Sequence, residues 1–179
     1  ILLNTVRCGI SSTPLPVGVT VTMPNPNTLV DVDRTKSCVL NNSPAWFTFL
    51  DPVNSKPMVS LQDKVNAADN VALGNVDTEV RFTPTVQYLP ASSACYANAP
   101  YLQRYWHIRP ANNSQANVRL YFTTAELTYL TYSTTLGATR LLDVATEIKV
   151  LKYPSGIVGV GACQEMTHTV VNWTPSASS

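Results

Sequence analysis

The strongest constraint on this chain is a period of two. From Thr78 to Tyr88 the side chains alternate: Val80, Phe82, Val86 and Tyr88 one way, Glu79, Arg81, Thr83 and Gln87 the other. That is the pattern of a strand with one face in a core. Short runs of the same kind recur over Ala45 to Leu50, Lys56 to Leu61, Arg104 to Arg109, Asn117 to Phe122, Thr146 to Tyr153 and Thr167 to Trp173. Turn residues separate them. Asp51 to Lys56 reads as a hairpin turn, Pro110 to Ser114 as turn chemistry, and Pro154-Ser155-Gly156 as a reversal. The runs from Arg104 and Asn117 are expected to pair as a central hairpin, with Trp106 and Ile108, then Val118, Leu120 and Phe122, facing inward. Pro84 marks an edge or a bulge in its strand.

One segment breaks the pattern. Thr123-Thr124-Ala125-Glu126 fits a capping box, in which Thr123 and Glu126 satisfy each other's backbone N–H groups. A short helix over about residues 124–132, with Leu127 and Leu130 inward, should follow and end near Ser133. Some eight short strands with one helix fit an all-β, two-sheet β-sandwich of Ig-like or jelly-roll-like type. An α/β fold would need helices between the strands.

The chain divides unevenly. Residues 1–35 carry Pro14, Pro16, Pro24 and Pro26 around an alternating run from Val17 to Met23, and read as an N-terminal arm or edge strand. Residues 36–174 form the sandwich domain, and 175–179 resemble a linker. The start, Ile1 to Thr5, is too short for a signal peptide, and no apolar stretch has the length of a spanning helix.

Composition narrows the function. Charged residues make up 13% of the chain and the formal net charge is +1. Globular proteins average roughly 25% charged residues, and Thr, Ser, Asn and Val fill the gap here. The basic residues form no run or stripe, so no footprint for nucleic acid is expected. The four cysteines, Cys8, Cys38, Cys95 and Cys163, include no C-x-x-C pair, and two histidines leave little for zinc. Two disulfides in an oxidising compartment are expected, with three pairings open. The sequons at Asn41, Asn112 and Asn172 have meaning only in a eukaryotic secretory pathway.

Catalytic chemistry finds no constellation. His107 and His168 are the only imidazoles, no Gly-x-Ser-x-Gly elbow exists, and His107 reads as a surface or second-sheet histidine opposite the core face. Asp31, Asp33 and Asp69 are weak candidates for a structural Ca²⁺, with solvated turn residues as the simpler reading. The aromatic residues give the better lead. Tyr105 and Tyr121 point away from the core face, Tyr96 and Tyr101 lie in the long loop tied by Cys95, and Arg109 and Arg119 join them as a ligand or partner face. The other reading of these arginines is pairing with Glu79 or stacking on tyrosine.

Pro44 to Asp51, Arg104 to Pro110, Asn117 to Leu127 and Glu147 to Tyr153 together resemble β-sandwich modules of large secreted proteins of the Bacteroidetes. Those modules occur in surface and gliding-associated, adhesin-like proteins that leave the cell by type IX secretion. The resemblance covers about residues 38–173 and implies a cell-surface location without assigning any catalytic residue. The expected function is therefore a non-catalytic structural or adhesive extracellular module, a subunit of a surface fibre or layer that joins copies of itself or neighbouring modules by strand addition. A carbohydrate-binding module using exposed tyrosines is the alternative, and a coat-like viral jelly roll a third reading.

Overall fold

Each run of alternating residues contributes a strand. A computed structural model describes residues 9–11, 19–23, 32–40, 45–53, 56–63, 71–85, 87–123, 126 and 149–172, with backbone alone at 9–11, 19–23 and 169–172. The elements are β1 (Gly9–Ser11), β2 (Val19–Met23), β3 (Arg34–Leu40), β4 (Trp46–Leu50), β5 (Pro57–Asp63), β6 (Gly74–Phe82), β7 (Gln87–Tyr88), β8 (Pro100–Tyr101), β9 (Arg104–Pro110), β10 (Ala116–Tyr121), β11 (Val150–Lys152), β12 (Gln164–Met166) and β13 (His168–Asn172). The protein is all-β. None of its described helical residues forms a segment long and apolar enough to cross a membrane.

Two sheets carry the core. The larger has the order β1-β4-β5-β10-β2-β13 and the smaller β3-β6-β9. β4 and β5 form the hairpin expected from Asp51 to Lys56, closed by Asp51 N–H donating to the Lys56 carbonyl at 2.8 Å. β1 stands at the edge beside β4, while β2 runs parallel to both its neighbours, β10 and β13.

The facing surfaces follow from register. Phe47 opposes Leu61 and Phe49 opposes Val59, and across β5 the same two residues meet Val118 and Leu120. From the smaller sheet come Cys38, Leu40, Val76 and Val80, with Trp106 and Ile108 packed against the cluster. Leu40, Phe49, Val59, Val76 and Val80 are fully buried, each contributing about 1.5–3 kcal/mol by leaving water. Two polar bonds also join the sheets. Trp106 Nε1 donates to the Met58 carbonyl at 3.0 Å. Arg34 Nε lies 3.0 and 3.1 Å from the two carboxylate oxygens of Asp51, which is itself buried.

Three expectations are corrected. The runs from Arg104 and Asn117 do not form a hairpin: β9 pairs with β6, and β10 with β5 and β2. The turn between them crosses from one sheet to the other. Ala111 N–H donates to the Asn75 carbonyl, Asn112 N–H to that of Leu73, and Asn112 Nδ2 to that of Ala72. Both strands still face the core, from opposite sides, as in other sandwiches where successive strands change sheet. Secondly, the strand from Thr78 ends at Phe82. β6 is central in its sheet, and Pro84 terminates it instead of marking an edge or a bulge. A proline lacks the N–H a central strand must donate. Thirdly, Tyr88 belongs to the separate two-residue β7 and is 53% exposed, not turned inward with Val80.

The capping box is present. Thr123 N–H donates to Glu126 Oε2 at 2.7 Å, and Glu126 N–H donates to Thr123 Oγ1 at 3.1 Å. Apart from Glu126, the helix expected over 124–132 lies outside the described residues.

Candidate functional site

The polar positions of the smaller sheet converge on its outer face. Register puts Thr35, Glu79 and His107 on one rung, Ser37, Asp77 and Arg109 on the next towards one end, and Arg81 beside Tyr105 towards the other. Glu79 is the centre. Its side chain is 9% exposed and meets Arg81 Nη2 at 2.6 Å, His107 Nδ1 at 3.1 Å and Arg109 Nη2 at 3.8 Å. A buried carboxylate is tolerated only when paired, and here two guanidiniums and an imidazole supply the partners. The guanidiniums remain wet on their far sides, Arg81 at 44% and Arg109 at 60% exposure.

Asp33 closes the end of this face. Its carboxylate accepts Phe82 N–H at 2.8 Å and Arg81 Nη1 at 2.8 Å. The Phe82 N–H, with Arg81 beside it, holds the Asp33 carboxyl below the usual carboxylate range, against a smaller opposing effect of burial. The same bond to Asp33, and Glu79 nearby, raise the Arg81 guanidinium.

Aromatic rings border the cluster. Tyr105 lies 5.3 Å from the His107 ring, tilted by 51°, and Tyr101 meets Tyr105 edge-on at 6.5 Å and 73°. Burial, and then Tyr105, push the Tyr101 phenol up. Ser37 Oγ is bonded to Asp77 at 2.5 Å, and His107 Nδ1 lies 3.1 Å from Glu79 Oε2.

Of the six residues expected to share a face, Tyr101, Tyr105 and Arg109 lie together here. Arg119 and Tyr121 do not, because β10 belongs to the other sheet. They do point away from the core cluster, yet they are 3% and 2% exposed. There the Arg119 guanidinium stacks 3.8 Å over the Trp46 ring, Ser60 Oγ bonds Tyr121 Oη at 2.5 Å and Thr48 Oγ1 at 2.7 Å, and Asn117 Nδ2 donates to Gln62 Oε1. Burial lowers the Arg119 pKa, opposed by Tyr121. This is a second buried layer.

Tyr96 sits apart, in the loop between β7 and β8. The disulfide Cys95–Cys163 ties that loop to the segment before β12. Tyr96 and Asn98 both adopt left-handed backbone, with φ of 51° and 60°, which is uncommon for a bulky side chain. The Tyr96 hydroxyl donates to Glu165 Oε2, and Lys149 Nζ meets Glu165 Oε1 at 3.0 Å. These two partners, Tyr96 first, hold the Glu165 carboxyl low, and Glu165 raises both Tyr96 and Lys149. A shallow pocket of about 360 Å³ opens beside them, lined by Lys149, Glu165, Met166, Thr167 and His168.

Cys38 is buried and disulfide-bonded, and Cys8 lies outside the described residues. So do the calcium candidates Asp31 and Asp69. Asp33 is engaged as above, and the described residues contain no group of three or more metal-ligating side chains. Sequence reasoning did not single out Arg81 and His107 for this face, nor the pair of Arg104 and Glu126, whose side chains are 3% and 5% exposed and meet at 2.5 Å. The period of two did place Glu79, Arg81 and His107 outward, which was the available signal. No protein-family model, curated protein or solved structure matches the chain.

Proposed function

We propose that this protein is a non-catalytic extracellular module with a structural or adhesive role, joined to other copies or to neighbouring modules through strand pairing. The observation that carries this reading is the place of β2. It is held between β10 and β13 by two parallel backbone ladders. A ladder of backbone bonds is indifferent to which copy of the chain supplies the strand. The same segment of a neighbour therefore fits the same slot, and exchange of this kind links subunits into a fibre or layer. The Cys95–Cys163 disulfide supports an oxidising environment. The resemblance carried by residues 104–127 and 147–153 supports a bacterial surface and delivery by type IX secretion.

Sedimentation velocity tests the assembly. The full chain should form concentration-dependent oligomers, and Val21→Pro, which removes a ladder N–H from β2, should abolish them. Oligomers that persist unchanged in that variant refute strand addition. Protease treatment of intact cells tests location, since a surface module must be released by it.

A further inference from the structure

The outer face of β3-β6-β9 has the chemistry of a receptor, and we infer that it binds a neutral polysaccharide. The case rests on three observations, independent of the strand pairing above.

The first is charge balance. Arg81 and Arg109 stand among Asp33, Asp77 and Glu79, with His107 between them. Three carboxylates against two guanidiniums leave no net positive field, so phosphate, sulfate and uronate ligands gain nothing by approaching. A ligand of hydroxyl groups, each both donor and acceptor, suits a surface that presents donors and acceptors side by side.

The second is preorganisation. Glu79, nearly buried, holds the two guanidiniums and the imidazole while their outer N–H groups stay in water. Arg81 and His107, held at bonding distance by Glu79, are ordered before a ligand arrives, which lowers the entropic cost of binding. Planar guanidinium groups fixed in this way donate paired bonds to adjacent hydroxyls.

The third is the ring row. Tyr101, Tyr105 and His107 are in sequential contact, Tyr105 and His107 on the same strand as Arg109 and Tyr101 reaching in from β8. A sugar ring has an apolar C–H face and a hydroxyl rim. Tyrosine offers a rigid apolar surface at low entropic cost, and the flanking Arg81 and Arg109 meet the rim. A protein partner would call for an apolar anchor at the centre of the patch, where this face has a carboxylate.

The test uses the full, disulfide-intact chain against insoluble cellulose, chitin and mannan and against arrayed neutral and acidic glycans. The expected result is retention on at least one neutral glycan. Tyr105→Ala and Arg109→Ala should each weaken it about tenfold, and Tyr105→Phe, which keeps the ring, should stay within about threefold of wild type. Arg109 is 60% exposed, so its variant folds as the wild type does and keeps the test valid if Tyr105→Ala unfolds. Retention on no neutral glycan, retention only on sulfated or uronic-acid glycans, or retention that Arg109→Ala leaves unchanged overturns the inference. Oligomeric state, read on the same samples, reports on strand addition separately.

Discussion

Removing the carboxylate of Glu126 should destabilise the fold more than any surface change, and the structure sets the size. Arg104 and Glu126 face each other with side chains 3% and 5% exposed, and the same carboxylate accepts the Thr123 N–H. Breaking a buried pair by deleting one partner costs about 3–5 kcal/mol, because the other charge is left without compensation. Glu126→Ala also loses one bond of the capping box, but pair and cap share a single carboxylate, so about 4–5 kcal/mol is expected in all. Glu126→Gln retains an acceptor for Thr123 and should cost less, about 2–3 kcal/mol. Thr123→Ala removes only the hydroxyl that accepts the Glu126 N–H and should cost about 1 kcal/mol.

Urea unfolding followed by tryptophan fluorescence measures these differences. With a slope near 2 kcal/mol per molar, Glu126→Ala moves the midpoint down by about 2 M. The decisive comparison is the double variant Arg104→Met with Glu126→Leu. If the single losses come from an uncompensated buried charge, the double variant must be more stable than either Arg104→Met or Glu126→Leu alone. A loss below about 1 kcal/mol for Glu126→Ala, or a double variant as unstable as the summed singles, refutes the reasoning.

Three further outcomes are expected. Loss of the Cys95–Cys163 bond, which spans 68 positions, in a Cys95→Ser, Cys163→Ser variant should cost about 4 kcal/mol by loop-closure entropy, read as a lower urea midpoint. Gly159→Ala should cost about 2 kcal/mol or more in the same assay, since Gly159 has φ +77° and an added Cβ would overlap the Pro90 ring. Asp33 has a depressed carboxyl pKa, so its contribution is present above the ordinary Asp value and is lost as pH falls through the folded one; Asp33→Asn should flatten the loss of stability below about pH 4. If acid unfolding of Asp33→Asn follows the wild-type curve, the Phe82 and Arg81 contacts do not act in solution.

Much of this fold was readable because period-two runs report which side of a strand is apolar. Trp106 and Ile108, Val118 and Leu120 all face the core as their alternation requires. Alternation does not report the partner strand. Two neighbouring strands that both face a core look alike whether they pair side by side or oppose each other across it, and the turn from Pro110 to Ser114 suits either course. The capping box was legible at Thr123 and Glu126 because it is local. The ion pair of Glu126 with Arg104 was not, being made across 22 positions by tertiary packing.

The same limit explains the functional face. Alternation puts Tyr105 and Tyr121 both away from the core, but it cannot say whether an outward face is wet. One clue was present: the run Pro57 to Leu61 is almost continuously apolar, and in the structure every one of its residues is buried. A strand without polar alternation is covered on both sides. β5 lies between β4 and β10, so two-sided burial of β5 requires that its neighbours be covered too, and Arg119 and Tyr121 on β10 are covered accordingly. The smaller sheet lacks any such run. β6 alternates cleanly through Glu79 and Arg81, which is the pattern of a strand that keeps one face at solvent. The distinction between a buried second layer on one sheet and a hydrated, charge-balanced face on the other is thus written in the apolar continuity of their central strands. Register alone, joining Glu79 to a histidine 28 positions away, then turns that hydrated face into a cluster.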